Sequence, residues 1–209
     1  RYWKRYKEQL PMDVARFDLA AYLFQGEKLC QYMWQHGLRN GMILENAVED
    51  IFFERKAYLI DGAKELVFIN VSNYEKRKDQ AKLIRAYAAA DIPNTRLVLI
   101  GSEKNEYYNE LLEMKRAIEE KTDFRGKIDI WVSIPRSEVL ERYRKADVYV
   151  SASSWEAMSI SICEASAGGL LILSTNVGHV SQIPGVQLFE TEEELTQLMK
   201  QAYEEPDMR

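Results

Sequence analysis

Two glutamates are the side chains of this sequence best suited to bind a polar ligand. Glu156 and Glu164 are eight residues apart, around the start of a helix-like segment. At about 100° per residue, this spacing puts them on different faces of a continuous helix, so a shared site requires Glu156 in the loop and Glu164 inside the helix. An ionised carboxylate accepts several hydrogen bonds and can bind vicinal hydroxyls of a sugar or ribose. Spacing alone favours the alternative, a surface loop residue and a solvated helix residue.

Three adjacent cations form a second candidate site. Lys76, Arg77 and Lys78 follow an apolar run and precede a helix-like segment. Backbone N–H groups and the positive end of the helix dipole attract anions at a helix start. Together with one of the cations, this helix start would bind a diphosphate. A solvated charge run explains the charge pattern equally well.

Signatures of several other enzyme classes are missing from the sequence. Neither G-x-G-x-x-G after a strand nor G-x-x-x-x-G-K-[ST] occurs, which argues against an NAD-binding domain and against a P-loop nucleotidase. His36 and His179 are the only histidines, and no G-x-S-x-G elbow supports a hydrolase. We interpret His36 as a helix surface or packing residue and His179 as a candidate ligand contact. Cys30 and Cys163 lack metal-ligand spacing, so the sequence predicts neither a disulfide nor a zinc site.

The composition predicts a globular cytoplasmic protein. Its 209 residues are 46% hydrophobic and 29% charged, which suits one good core. The net charge of -5 argues against nucleic acid as a partner. No apolar run approaches the ~20 residues that span a bilayer, and we expect no export. The basic and aromatic residues of 1–7 leave a peripheral membrane contact open beside a solvated helix or linker.

The elements that would position these residues alternate from about residue 65 onward. Short β-branched apolar runs alternate with segments of helical periodicity, which predicts parallel strands joined by helices. Because the strands are apolar throughout, helices should cover both faces of an α/β, doubly wound, Rossmann-like sheet. A mixed sheet with one reversed edge strand stays open. The predicted strands are 66–71, 96–100, 128–132, 148–150, 170–173 and, more weakly, 186–189, and the predicted helices are 80–90, 106–121, 137–144, 161–167 and 192–203.

The first part of the chain has a different pattern. It predicts a strand over 18–24, a helix over 27–36 and a short strand over 42–44. Such a unit cannot bury both of its faces alone, so we assign residues 1–62 to the end of another domain with a linker from about residue 49. Residues 63–209 then form the sheet domain, and we expect the chain to begin within a longer protein.

These segments, taken in order, resemble the retaining GT-B glycosyltransferases of family 4 from about residue 18 to residue 203. Residues 153–165 are similar to the family's P-S-x-x-E-G-F-G-x-x-x-x-E-A segment, which contains the glutamate pair. Four other segments are similar to family motifs: 78–80 to the K-G or K-N-Q step, 146–150 to A-D-V-x-V, 174–178 to S-N-V-G-G and 46–49 to N-G-V-D.

The resemblance implies the C-terminal half of a GT-B fold and a specific reaction. A sugar would pass from a UDP- or GDP-sugar to an acceptor hydroxyl with retention, in polysaccharide or glycoconjugate biosynthesis. Lys78 would neutralise the donor diphosphate, Glu164 would bind the ribose hydroxyls and Glu156 would lie beside the transferred sugar, so Lys78 and Glu156 are the catalytic candidates. The other donor-binding residues it implies are Asn73 at the family's usual arginine position, Val132 and Ser133 beside the base, and the backbone of Met158, Ser159 and Ile160.

The resemblance implies no metal and no cofactor beyond the nucleotide-sugar substrate. The acceptor would be a glycan, a lipid-linked sugar or a protein, bound mainly by a missing N-terminal domain. We therefore expect this chain to bind donor weakly and to transfer nothing by itself, in the cytoplasm or peripherally at the inner face of the membrane. Two departures, Asn73 for arginine and Ala157-Met158-Ser159 for G-F-G, keep open a non-catalytic partner subunit. A nucleotide-sugar epimerase is a third candidate.

Overall fold

The computed structural model describes residues 22–24, 27–44, 46–54, 65–121 and 123–209. The chain divides into two compact units, Arg1–Ala47 and Val48–Arg209. The predicted domain boundary after residue 62 lies outside the described residues and stays a prediction, as does the character of residues 1–7.

The first unit contains one strand–helix–strand element. Strand β1 (Tyr22–Phe24) and strand β2 (Gly41–Ile43) pair in parallel, and helix α1 (Glu27–Gln35) connects them. Residues 18–21 of the predicted first strand lie outside the described residues.

The second unit is built on a sheet of six parallel strands. These are β3 (Leu66–Val71), β4 (Thr95–Gly101), β5 (Lys127–Val132), β6 (Val148–Ser151), β7 (Leu171–Ser174) and β8 (Gln187–Leu188). Their order is β5-β4-β3-β6-β7-β8, and every neighbouring pair is parallel. The predicted parallel sheet is therefore confirmed, and a reversed edge strand is excluded.

Helices connect the strands at the predicted places, with ends shifted by at most a few residues. Side-chain caps fix several helix starts: the Asn105 side chain accepts from the N–H of Tyr108, and Thr191 with Glu194 forms a capping box. The helices are α2 (Gln80–Ala90), α3 (Glu106–Glu119), α4 (Arg136–Lys145), α5 (Ile160–Ala167) and α6 (Glu192–Glu204).

Two hydrophobic cores lie on opposite faces of the sheet because alternate strand residues point to opposite sides. Leu97 and Leu99 of β4 belong to one core, and Val98 and Ile100 to the other. Residues of α2, α3 and α6 complete the first core, and residues of α4 and α5 complete the second. Each fully buried Leu, Ile, Val or Phe contributes about 1.5–3 kcal/mol. The sheet is therefore covered on both faces, as predicted.

The strand order defines where a ligand can bind. The chain leaves β3 toward β4 on one side, whereas β6 pairs on the other side of β3. At such a switch point the loops after the two adjacent strands separate and open a crevice at their carboxyl ends. These are the loops that carry Lys78 and Glu156. In the part of the chain that the structure describes, no helix is long and apolar enough to cross a membrane.

Candidate functional site

The loop after β3 is held in one conformation by its own side chains. Lys76–Lys78 form a 3-10 turn, and Asp79 then adopts the left-handed region with φ 46°. Asp is one of the residues that tolerates this conformation. The Asp79 carboxylate accepts from the N–H of Lys82 at 3.2 Å and so caps α2. The cap fixes the backbone immediately after Lys78.

Two buried side chains anchor the loop to the sheet. Gln80 is buried, and its Nε2 donates to Ser72 Oγ at 2.8 Å and to the Asn73 carbonyl at 2.9 Å. Tyr74 donates its hydroxyl to the Trp131 carbonyl at 2.7 Å, and burial raises its pKa well above the ordinary value. A Cβ on Gly101 would come within 2.4 Å of the Tyr74 ring, so only glycine fits there. These contacts tie the loop to the sheet on both sides of its cations.

Lys78 and Glu156 meet across the switch point as an ion pair. The Lys78 ammonium donates to Glu156 Oε1, and Arg77 Nη1 lies 3.6 Å from Oε2 of the same carboxylate. The side chains of Lys78 and Glu156 are only 12% and 10% exposed. Arg77 also donates to the Trp155 carbonyl at 3.3 Å and to Glu75 at 2.6 Å. The site thus concentrates two cations on one partly desolvated carboxylate.

Backbone contacts hold the loop after β6 against both neighbouring loops. The N–H of Ser154 donates to the Arg77 carbonyl at 2.8 Å, and Thr175 Oγ1 donates to the Ser153 carbonyl at 2.6 Å. Gly178 has φ +58°, and a Cβ there would come within 2.5 Å of the Ala157 carbonyl oxygen. The loops after β3, β6 and β7 therefore form one connected rim around Glu156.

Glu164 lies inside α5 and is 3% exposed. Its Oε1 accepts from Arg136 Nη2 at 2.5 Å, and the same guanidinium nitrogen donates to Glu49 at 3.0 Å. The hydrogen bond that Arg136 donates to Glu164 is the main reason that the pKa of Arg136 is raised above its ordinary value, and the one to Glu49 adds to the shift. Glu164 is therefore neither solvated nor isolated: it is the buried member of an ion-pair network with Arg136 and Glu49.

A short chain of hydroxyl groups connects β6 with the start of α5. Ser159 Oγ is 3.1 Å from Ser161 Oγ, and Tyr149 donates its hydroxyl to Ser161 Oγ at 2.9 Å. Burial raises the pKa of Tyr149 well above its ordinary value, and the charges of Glu156 and Glu164 both add to the shift. The Tyr149 hydroxyl therefore ties β6 to the first turn of α5, the helix that carries Glu164.

The remaining predicted residues lie along the same carboxyl edge of the sheet. Asn73 is exposed, and its carbonyl accepts from Gln80. Val132 ends β5, and Ser133 follows with φ 54° and donates its hydroxyl to the Ser102 carbonyl. Strands of one sheet are about 4.8 Å apart, which places the end of β5 roughly 14 Å from that of β6.

The 158–160 segment leads into α5. Ser159 is its N-cap residue, Ile160 is exposed, and Met158 is half-buried. The first N–H groups of a helix have no partner within it, so they can bind an anion. By contrast, α2 starts with its N–H groups already engaged, because the N–H of Ala81 donates to the Tyr107 hydroxyl at 3.1 Å. The helix start suited to an anion is therefore that of α5.

Two of the three adjacent cations share the site, and one does not. Lys76 pairs with Glu110 of α3 and lies over the Tyr107 ring at 4.6 Å. Arg77 and Lys78 turn to Glu156 instead. His179, the predicted ligand contact, lies after Gly178 with its Nε2 at 3.5 Å from Cys163 Sγ. No group of three or more metal-ligating side chains is found among residues 22–24, 27–44, 46–54, 65–121 and 123–209.

Sequence reasoning missed Arg136 and Tyr149. Arg136 stands after Pro135 at the start of α4, where a charged residue is unremarkable, and Tyr149 lies within an apolar strand. No local pattern connects Arg136 with Glu164 or Tyr149 with Ser161, because these contacts arise only when distant segments pack together.

The fold and the site define a doubly wound α/β domain with a charged crevice at its switch point. Residues 50–209 match the family described as glycosyl transferases group 1, and the chain belongs to this family. No curated protein sequence matches the chain.

Solved structures share the fold at low sequence identity. Anabaena HepE, in complex with UDP and glucose, is 19% identical with a TM-score of 0.72 and is matched over 92% of this chain and 55% of HepE. WaaG, a glycosyltransferase involved in lipopolysaccharide biosynthesis, is 17% identical with a TM-score of 0.70, over 90% of this chain and 54% of WaaG. The pneumococcal O-GlcNAc transferase GtfA, in complex with UDP and GlcNAc, is 17% identical with a TM-score of 0.67, over 97% of this chain and 41% of GtfA.

The chain spans about half the length of these solved structures. At such identities the similarity establishes the fold alone. The prediction of a GT-B-type α/β fold is thereby confirmed.

Proposed function

We propose that this chain carries the donor site of a retaining glycosyltransferase of family 4, which moves a sugar from a nucleoside diphosphate to an acceptor hydroxyl. One observation carries the proposal: Lys78 and Arg77 converge on Glu156 at the switch point of the sheet. Cations and a carboxylate side by side suit a donor that has an anionic diphosphate next to a hydroxyl-bearing sugar.

The chemistry requires stabilisation of a leaving group. As the bond between the anomeric carbon and the diphosphate oxygen breaks, its electron pair stays on the diphosphate and increases the negative charge there. Lys78, Arg77 and the first N–H groups of α5 are fixed donors that would stabilise this charge, an effect that typically supplies about 3–4 kcal/mol per donor. The leaving phosphate would take the acceptor's proton on the same face, which retains the anomeric configuration. No metal or protein nucleophile enters this scheme.

A uridine diphosphate sugar is the donor we propose first. HepE and GtfA were both solved with UDP. Glu164 would bind the ribose hydroxyls, whereas Val132 and Ser133 would lie by the base. The separation of roughly 14 Å between the ends of β5 and β6 suits an extended ligand that runs from base to sugar. Glu156, with Met158, Ser159 and Ile160, would contact the sugar and phosphates.

The acceptor and its binding surface lie beyond these residues. We propose a glycan, a lipid-linked sugar or a protein as acceptor, bound by an N-terminal domain. We also propose a cytoplasmic location, with or without peripheral contact at the inner membrane face. The isolated chain would then bind donor and transfer nothing.

Titration calorimetry with UDP and GDP tests the donor site. We expect UDP to bind, and we expect Lys78→Gln to weaken it by about tenfold or more, since a hydrogen bond to a charged group is worth about 1.5–3 kcal/mol. Lys115→Gln, a lysine that pairs with Glu119 on α3, should bind UDP like the unaltered chain. Lys78→Gln leaves the partly buried Glu156 carboxylate without its nearest cation, which could lower the stability of the fold. The double variant Lys78→Gln, Glu156→Gln has no unpaired carboxylate at this position, so weak UDP binding by it reflects the loss of the site and not misfolding. Equal affinity in Lys78→Gln and Lys115→Gln would contradict the proposal.

A non-catalytic partner subunit is the second candidate, favoured by Asn73 in place of an arginine. Arg77 weakens this case because it supplies a second cation at Glu156. A subunit that has lost the site would bind neither UDP nor GDP. An epimerase would instead release UDP from a UDP-sugar with no acceptor present, which a coupled UDP assay would detect.

A further inference from the structure

Arg136 is a charged residue at the site that the proposed reaction has not used. It occupies the first turn of α4, and its side chain is 52% exposed. One of its nitrogens contacts Glu164 and Glu49, and its guanidinium lies 5.0 Å from the centre of the Phe52 ring. It therefore connects a buried carboxylate with the 48–54 segment at the beginning of the second unit.

The partner of Arg136 is a carboxylate that water does not solvate. Glu164 is 3% exposed and forms an ion pair with Arg136. A buried charge is costly unless it is paired and hydrogen-bonded. Arg136 engages Oε1, and because an ionised carboxylate has about four lone-pair positions, the proposed ribose diol would bind at positions that Arg136 leaves open.

The position of Arg136 is itself fixed from two sides. The Phe52 ring lies beneath the guanidinium and packs edge-on against the Tyr143 ring at 5.4 Å. Glu49 accepts from the same nitrogen at 3.0 Å. An arginine held by an aromatic face and a second carboxylate has fewer conformations to lose, so it can hold Glu164 in one orientation.

We infer that Arg136 is a positioning residue for the donor site: it holds Glu164 in the orientation in which this carboxylate accepts hydrogen bonds from the 2′ and 3′ hydroxyls of the nucleotide ribose. The inference rests on the proposed function. Arg136 acts through Glu164, so its effect is confined to ligands that carry the diol.

Titrations with two ligands test this role. UDP and 2′,3′-dideoxy-UDP differ only in the diol, and the unaltered chain should bind UDP about tenfold more tightly, the ratio expected for hydrogen bonds to a charged acceptor. Arg136→Gln should bring the two affinities close together, because it should lower the affinity for UDP and leave that for 2′,3′-dideoxy-UDP unchanged. Glu164→Gln should do the same, and the double variant should lose no more than Glu164→Gln, because the two residues act as one unit. Arg136→Lys retains a charge and should lose less than Arg136→Gln.

A second arginine on the same helix provides the matched control. Arg144 pairs with Glu141 and, at 3.5 Å, with Glu54 of the 48–54 segment. Arg144→Gln removes a similar tie between α4 and that segment, and should leave the UDP to dideoxy-UDP ratio unchanged. Thermal unfolding of every variant identifies losses that come from stability.

The outcomes separate the two hypotheses. Failure of the unaltered chain to bind UDP or GDP overturns the proposed function and this inference with it. UDP binding that Glu164→Gln weakens and Arg136→Gln does not would overturn the inference alone. If Arg136→Gln lowered the affinities for UDP and 2′,3′-dideoxy-UDP equally, Arg136 would have a structural role. If Arg136→Gln bound UDP more tightly, Arg136 would compete with the ribose. Either result rejects the positioning role.

Discussion

Glu156 accepts two cations that are adjacent in sequence, although a single turn of chain would usually send neighbouring long side chains in different directions. The N–H of Ser154 donates to the Arg77 carbonyl and so holds the two loops together where the cations meet Glu156, and Asp79 adopts the left-handed conformation directly after Lys78. Because Lys78 and Glu156 are both about a tenth exposed, water screens their attraction less than at the surface.

The close approach at Gly178 gives a test at the scale of one residue. A Cβ at this position would come within 2.5 Å of the Ala157 carbonyl oxygen and 2.9 Å of that of Glu156. Gly178→Ala should therefore displace the loop that carries Glu156 and weaken UDP binding about tenfold, as well as lower the free energy of unfolding by more than about 1 kcal/mol. Titration calorimetry and urea unfolding measure the two effects.

Gly185 is the matched control for this substitution. It also has positive φ, at +76°, but a Cβ there would have nothing within 4 Å. Gly185→Ala carries the same kind of backbone strain without the contact, so it should cost about 1 kcal/mol and leave UDP affinity intact. Similar UDP affinities in the two alanine variants would refute the importance of the contact.

Among the secondary-structure elements, helix starts decide which loops can bind. The start of α2 is closed by the Asp79 cap and by the Tyr107 hydroxyl. The start of α5 has Ser159 at its N-cap with no side-chain cap hydrogen bond. Two helix starts on the same edge of the sheet therefore differ: one stabilises the loop with Lys78, and the other can offer N–H groups to an anion.

Asp79 allows a test of the first helix start. Asp79→Ala loses the cap and leaves at φ 46° a residue with no polar side chain to stabilise the left-handed conformation, which together should lower the free energy of unfolding by about 2 kcal/mol. Asn caps helices and tolerates the left-handed region, so Asp79→Asn should stay within about 0.5 kcal/mol. Asp79→Ala should also weaken UDP binding because Lys78 is the preceding residue.

A cap far from the crevice serves as the control. Thr191 begins the capping box of α6, and Thr191→Ala should cost about 1 kcal/mol with no change in UDP affinity. If Thr191→Ala weakened UDP binding as much as Asp79→Ala did, the link between the α2 cap and Lys78 would be wrong. Chemical unfolding and calorimetry on the same samples distinguish the cases.

For the whole molecule, the two ends of the sheet have different electrostatics. The carboxyl end carries the crevice, whereas Arg96 and Lys127 lie near the amino ends of their strands and pair with Glu65. Arg96 Nη1 also donates to Asp129 at 2.6 Å. This network ties β3, β4 and β5 together away from the candidate site, so it contributes to stability and not to binding.

Acid unfolding tests the contribution of Glu65. The hydrogen bond from Arg96, followed by that from Lys127, holds the pKa of Glu65 below its ordinary value of 4.5. The stabilisation is complete above that value and is lost as the pH falls through the lower pKa of the folded state, because the unfolded chain takes up the proton first. Urea unfolding between about pH 5 and pH 3 should show a smaller decline for Glu65→Gln than for the unaltered chain.

Arg96→Gln provides the complementary measurement. Without the guanidinium, Glu65 loses the main cause of its lowered pKa, so this variant should also show a flatter decline of stability with falling pH. A decline as steep as that of the unaltered chain in both variants would exclude Glu65 as a source of the acid sensitivity.

The sequence by itself determined the elements and their order. Apolar runs and helical periodicity fixed β3 at 66–71 and α2 at 80–90 without error, because secondary structure follows from the spacing of nearby residues. The edge strand β8 is shorter than predicted: it covers Gln187–Leu188 of the predicted 186–189, and its Leu188 is partly exposed. The loops that carry Lys78 and Glu156, and the helix that carries Glu164, were also identified, since they follow strands whose carboxyl ends must share one edge.

Only the tertiary structure decided which side chains meet. In the folded chain Glu156 pairs with Lys78 and Arg77 and not with Lys76, and Glu164 pairs with Arg136. These partners are 78 and 28 residues apart along the chain. Such contacts depend on the strand order, on the backbone angle at Asp79 and on packing against one face of the sheet. None of these leaves a periodic signal in the sequence, because each arises only when distant segments are brought together.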